Sequence, residues 1–133
     1  KSKVYEEVEL TALQGIYSGM GGDGPENDME ALLQGLRLCP ECLERIMIVD
    51  NNSPVRDLEL LREIDQPIRI ILCGSMGTIN PEYLTIARNT GGSIHLMEKD
   101  IFDLMQLHEG ESIELNGVQF IIQDNTFVKV KKM

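Results

Sequence analysis

The sequence predicts an α/β fold in which a parallel sheet with crossover helices is followed by a small antiparallel β meander. Short apolar runs at 46–49, 68–73 and 93–97 alternate with segments of helical periodicity, the order from which parallel sheets are built. The first of these runs ends in Asp50 and the polar stretch Asn51-Asn52-Ser53, and an all-apolar run of that length fits a strand buried on both faces. Beyond residue 108 the pattern changes to short alternating runs at 112–115, 118–123 and 126–130, separated by Asn116-Gly117 and Asp124-Asn125. Asn-Gly suits a two-residue hairpin turn, because both central positions take positive φ.

Taken in order, residues 4–14 place Val4, Tyr5, Val8 and Leu13 at an approximate helical spacing, while 8–10 alone also reads as a strand fragment. Residues 18–24, S-G-M-G-G-D-G, are too glycine-rich for an element interior and form a loop. Met29, Leu32, Leu33 and Leu36 then recur at spacings of three and four, giving a helix to about residue 38 that Pro40 stops. Asp23 to Glu26 fall at its N-terminus, where carboxylates complement the helix dipole. Residues 54–64 read as a helix with Ser53 as N-cap and Val55, Leu58 and Leu61 facing the core. Asn80 and Pro81 open a third helix bearing Tyr83, Leu84, Ile86 and Ala87, which a Thr90-Gly91-Gly92 turn closes; residues 99–107 read as a last short helix. The organisation expected is an α/β domain over 1–108 and a meander appendage over 109–133.

The 133 residues suit one domain, and the charge of -10, from 22 acidic against 12 basic residues, excludes affinity for a phosphate backbone. Lys129, Lys131 and Lys132 form the one basic cluster and read as a solvated tail. No run of 18 apolar residues is present, so no membrane span is expected. The first residue is Lys1 rather than Met, which reads as a trimmed or excerpted piece. Three cysteines do not suggest a disulfide framework and favour a reducing, cytoplasmic compartment.

Cys39-Pro40-Glu41-Cys42 has the spacing of half a zinc site or a redox pair. Further ligands are limited to Cys73, His95 and His108, far along the chain, and the pair does not follow a strand at a helix start, so both read as loop cysteines. The turns at 21–24 and 90–93 lack the lysine and serine spacing of a phosphate-binding loop, and His95 has no evident nucleophile beside it in sequence, so neither nucleotide binding nor a catalytic triad is expected. Asp50 is the residue best placed for chemistry, because ligands of open α/β sheets bind at the carboxyl ends of the strands.

The loop G-G-D-G-P-E at 21–26, the following Ala- and Leu-containing helix, the strand ending I-V-D at Asp50 and the stretch T-G-G-S-I-H at 90–95 together resemble the C-terminal half of a von Willebrand factor A domain. The D-x-P-E arrangement is similar to that of integrin I-like domains, and the likeness spans about residues 18–107. It implies a divalent cation, Mg2+ or Ca2+, in a metal-ion-dependent adhesion site, with Asp23 and Glu26 from one loop and Asp50 from another as ligands. That family also draws ligands from a D-x-S-x-S motif on an earlier strand, which this chain lacks, so the implied site is incomplete. The strand that would carry the motif is the family neighbour of residues 46–49, whose edge is then open, and an open apolar edge favours pairing with another chain.

The function expected is a non-enzymatic protein-interaction module that meets a protein partner at the loops after the parallel strands, with Asn51, Asn52 and Ser53 in contact. It would form a homodimer or associate with a missing N-terminal half. The alternative from another class is a Rossmann-like small-molecule-binding domain or enzyme using Asp50 and the glycine loops.

Overall fold

The computed structural model describes residues 25–75 and 77–131. The helix or strand expected at 4–14, the glycine loop at 18–24 and Asp23 lie outside the described residues. The described elements are α1 (Asp28–Leu38), β1 (Ile46–Asp50), a 3-10 helix (Leu58–Glu63), β2 (Arg69–Cys73), α2 (Pro81–Thr90), β3 (Ser93–His95), β4 (Asp100–Ile101), a 3-10 turn (Leu104–Gln106), β5 (Ser112–Leu115), β6 (Val118–Gln123) and β7 (Thr126–Lys129). They form a mixed four-stranded sheet of order β1-β2-β3-β4 and a separate antiparallel sheet of order β5-β6-β7. β1, β2 and β3 run parallel, and β4 turns back antiparallel on β3.

The two helices follow from their sequences. Asn80 caps α2 by accepting the Glu82 N–H at 3.0 Å, Pro81 occupies the first turn, and Gly91 ends the helix in the left-handed region at φ 71°, the combination that starts and stops helices cleanly. Gly92 next crosses so near β2 that a Cβ there would lie 1.9 Å from the Ile68 carbonyl oxygen. Only glycine fits where α2 hands over to β3.

Two expected helices take other forms. Residues 54–57 do not enter a helix, because Glu26 and Val55 form a parallel bridge in which the Glu26 N–H donates to the Pro54 carbonyl and the Arg56 N–H to the Glu26 carbonyl, each at 2.8 Å. Those bonds hold the backbone extended, so only the shorter 3-10 helix follows, and Ser53 caps nothing. At 99–107 the pairing of Ile94 with Ile101 and of His95 with Asp100 makes a strand of what reads as a helix start. Asp103, at φ 62°, then breaks the chain before the 3-10 turn. Helical spacing lost in both places to hydrogen bonds with distant backbone.

The meander has the expected strands. Asn116 and Gly117 both have positive φ, 52° and 77°, as do Asp124 and Asn125 at 53° and 61°, the geometry that matches a hairpin turn to strand twist. It is docked on the α/β part. Phe120 and Ile122 are fully buried and, with Leu115 and Phe127, belong to the core that holds Leu84, Ile86 and Ile94. The Phe127 N–H donates to Thr85 Oγ1 at 2.9 Å and Arg88 Nε to the Leu107 carbonyl at 2.9 Å, which ties α2 to β7 and to the linker before the meander.

The sheet is covered on one face. Met47, Ile70, Leu72, Ile94 and Ile101 are buried, and α2 packs over β2 and β3 on that side. The opposite face carries Ile46 and Ile48 of β1, in register with Arg69 and Ile71 of β2 and then with Ser93 and His95 of β3. Ile46 is 50% and Ile48 69% exposed. The expectation that β1 is buried on both faces is therefore corrected, because among the described residues nothing covers its second face.

Candidate functional site

The carboxyl ends of β1 and β2 build a polar cluster from the loop residues outward. Asn51, only 7% exposed, accepts the Asn80 N–H with its Oδ1 at 2.8 Å and donates Nδ2 to the Thr78 carbonyl at 3.0 Å. It fastens the loop after β1 to the start of α2. Its side chain is thereby committed to the scaffold rather than offered to a partner. Asp50 Oδ1 accepts from the Asn52 N–H at 2.9 Å and from Asn52 Nδ2 at 3.2 Å, an Asx turn that sets the loop's direction. Asn52 is exposed and Ser53 half-buried, and the Ser53 carbonyl lies 3.4 Å from both Asn80 Nδ2 and the Tyr83 hydroxyl.

Acids from three separate stretches meet beside this loop. Tyr83 donates its hydroxyl to Asp28 Oδ2 at 2.8 Å, Glu82 Oε1 accepts the Val55 N–H at 3.1 Å, and the Asp57 carboxylate accepts the Met29 and Glu30 N–H groups at 3.1 and 2.8 Å. Burial lifts the Asp28 carboxyl above its ordinary pKa; the Tyr83 bond pulls it back, and the nearby charges of Glu26, Asp57 and Glu82 lift it further. Burial and the Asp28 carboxylate raise the Tyr83 phenol. The sequence does not mark Asp28, Asp57, Tyr83 or Glu82 as a unit, because they come from three separate stretches. A Tyr and a first-turn Glu on the helix after β2 were the available signal.

Of the three expected cation ligands, Asp23 lies outside the described residues. Glu26 sits in the bridge to Val55, and Asp50 is turned into its own loop. Among the described residues no group of three or more His, Cys, Asp or Glu side chains is arranged to hold a metal ion. The carboxylates nearest to one another are instead committed to Tyr83, to Val55 and to the start of α1.

The amino half of β1 has a different character. Asn51 N–H donates to the Cys73 carbonyl at 2.8 Å and Arg69 N–H to the Arg45 carbonyl at 2.9 Å, so the odd-numbered residues of β1 direct their backbone groups at β2. By strand geometry the N–H and C=O of Ile46 and Ile48 point the other way. β1 is the terminal strand of its sheet, and among the described residues no strand meets that edge. Between α1 and β1 runs a groove of about 400 Å³, lined by Leu32, Leu36, Met47 and Val49 together with Asp28, Glu44 and Arg45. The Arg45 Nε is buried there with no hydrogen-bond partner. Cys39 and Cys42 are joined in a disulfide across the turn between α1 and β1, so the two loop cysteines are linked and Cys73 is the exposed free thiol.

On the sheet face that bears Ile48, where Ser93 is buried, Ser93 Oγ lies 2.7 Å from His95 Nε2 and His95 Nδ1 2.8 Å from Asp100 Oδ1, with Phe102 edge-on to the ring. Strand alternation puts Ser93 and His95 on one face, and the β3-β4 hairpin supplies Asp100; the sequence hides this because the hairpin reads as a helix start. The order of groups is that of a Ser-His-Asp triad, but acyl transfer also needs free donors aimed at the developing oxyanion. The neighbouring N–H groups of Gly91, Gly92 and Ser93 are all committed, to the carbonyls of Arg88, Ala87 and Ile68. The chain of bonds braces β4 against β3. No protein-family model, curated protein or solved structure matches the chain, so the reading of these surfaces rests on their own geometry.

Proposed function

We propose that the chain is a non-enzymatic protein-interaction module whose contact surface is the open edge and uncovered face of β1, with the adjoining Asp50 to Ser53 loop. The observation that carries this reading is a parallel strand that no other strand pairs on its outer edge among the described residues, with two exposed isoleucines and a groove along its flank. Each fully buried isoleucine contributes about 1.5–3 kcal/mol, and a sheet edge adds directional hydrogen bonds to a partner that adds a strand. The resemblance to a von Willebrand factor A half-domain agrees with such an edge.

The test is a photo-activatable residue at position 48, compared with one at exposed Glu114 on the meander. A protein adduct at 48 and none at 114 is the expected result. No adduct at 48, together with a thermal shift given by a metabolite or nucleotide and by no protein, overturns it in favour of a small-molecule domain.

A further inference from the structure

We infer that the Cys39 to Cys42 disulfide is a reversible thiol-disulfide exchange site, reduced and reformed by a protein dithiol of the thioredoxin class. The turn that carries it has supports of its own. Pro40 takes the second position of a β-turn, where its fixed φ is favoured. The Cys42 N–H closes that turn on the Cys39 carbonyl at 3.3 Å, and the Cys39 N–H ends α1 on the Gly35 carbonyl at 3.1 Å. A β-turn keeps its first and fourth Cα atoms within about 7 Å, and here they stand 5.4 Å apart, inside the range that a disulfide bridges. The thiols of the reduced turn therefore stay placed to rejoin. Closing so short a loop also removes less entropy from the unfolded chain than a cross-link between distant residues does, so the fold can gain and lose this bond without depending on it.

Exposure sets the order of attack. Cys42 is exposed and Cys39 half-buried, so an incoming thiolate meets the Cys42 sulfur. A bond forms between those two sulfurs, the bond from Cys42 to Cys39 breaks, and its electron pair leaves on Cys39 as a thiolate that takes a proton from water. The partner's second thiolate then attacks its own sulfur in the mixed disulfide and releases Cys42. The partner dithiol has become a disulfide, its two electrons have passed to the pair, and the reverse sequence reoxidises the turn. Cys73 cannot resolve the mixed disulfide from within the chain, because it pairs with Asp50 at the far end of β1, a strand of five residues about 16 Å long. The flanking residues favour a protein as the source of the thiols. Leu38 is 79% and Leu43 96% exposed, one on each side of the pair, and a macromolecular partner buries such side chains where a small thiol leaves them in water.

The test uses the full chain with Cys73→Ser, which leaves the pair as its only cysteines. Reduced thioredoxin is expected to take the folded chain from no maleimide-reactive thiol to two, with the circular dichroism spectrum kept, and oxidised thioredoxin to return the pair to the disulfide. A thioredoxin whose second cysteine is replaced by serine is expected to be trapped on Cys42, as read by mass spectrometry of the linked peptides. Leu43→Ser, at an exposed position, is expected to slow reduction by thioredoxin about tenfold, the worth of one leucine contact, and to leave reduction by dithiothreitol at its original rate. A disulfide that thioredoxin reduces only after the chain is unfolded in urea overturns the inference, as does a cooperative thermal transition that disappears on reduction, which would make the bond a structural staple. A trap on Cys39, or a Leu43→Ser chain that thioredoxin reduces at the original rate, overturns it as well.

Discussion

Asp57, at the head of the 3-10 helix, ties that element to the start of α1, and its removal gives a quantitative test. It is 8% exposed and bridges two elements: its Oδ1 accepts the Met29 N–H at 3.1 Å and its Oδ2 the Glu30 N–H at 2.8 Å. The formal N-cap, Asn27, makes no side-chain cap bond, so Asp57 does from a distance what a local cap does elsewhere. Loss of a cap costs about 0.5–2 kcal/mol. Leaving a buried donor unmade costs about 1–3 kcal/mol, and Met29 is fully buried. The two descriptions overlap, so Asp57→Ala is expected to destabilise by about 2–3 kcal/mol. Asp57→Asn keeps one acceptor and loses the charge that favours a helix N-terminus, for about half that cost. Urea unfolding followed by circular dichroism reads both, as a lower midpoint with unchanged slope. A loss below about 0.5 kcal/mol in the alanine variant would show that α1 is held without this carboxylate.

Two further outcomes follow from the polar cluster. The folded Asp28 carboxyl sits above its ordinary value of 3.8, chiefly through burial. Its contribution to stability is therefore fully present below pH 3.8 and is lost as pH rises through the folded value. Asp28→Asn, which keeps an acceptor for Tyr83, is expected to be more stable than wild type at pH 7, with the difference closing on acidification; a difference that is constant across pH 3 to 7 in thermal unfolding would refute this. Titration of the chain with Mg2+ in a calorimeter is expected to give no saturable heat, because Asp50 and Asp28 are held by Asn52 and Tyr83 and a hard cation needs several converging oxygens. Saturable heat that Asp50→Ala removes would refute this and identify Asp50 as a ligand.

Much of the fold was legible because it follows from local chemistry. Pro81 and Gly91 bound α2, Asn116-Gly117 turns the first hairpin of the meander, and apolar spacing marks α1. The two helices that did not form share one cause. The Glu26 to Val55 bridge and the His95 to Asp100 pairing join residues whose partners no window of sequence displays. The polar cluster escaped for the same reason, since Asp28, Asp57 and Tyr83 are 26 or more positions apart in sequence and meet only when α1, the 3-10 helix and α2 are in place. Asn51 illustrates the converse. Its position at a strand end reads as a partner contact, and in the fold its buried amide is bonded at both ends and fastens the β1 loop to α2.

β1 shows what a strand's own residues leave undetermined. I-M-I-V is apolar at every position, and that pattern states only that both faces favour burial; it does not state which polypeptide buries them. The structure divides these residues, placing Met47 in the core and leaving Ile46 and Ile48 exposed on an edge that no strand meets among the described residues. Natural sheet edges are commonly protected by an inward charge, a proline or a bulge, and β1 has none of these between Ile46 and Val49. Its charges stand at the two ends, Glu44 and Arg45 before it and Asp50 at its close. An edge unprotected along its middle is suited to receiving a strand, and Ile48→Lys, by placing a charge at the centre, is the smallest change that should close it.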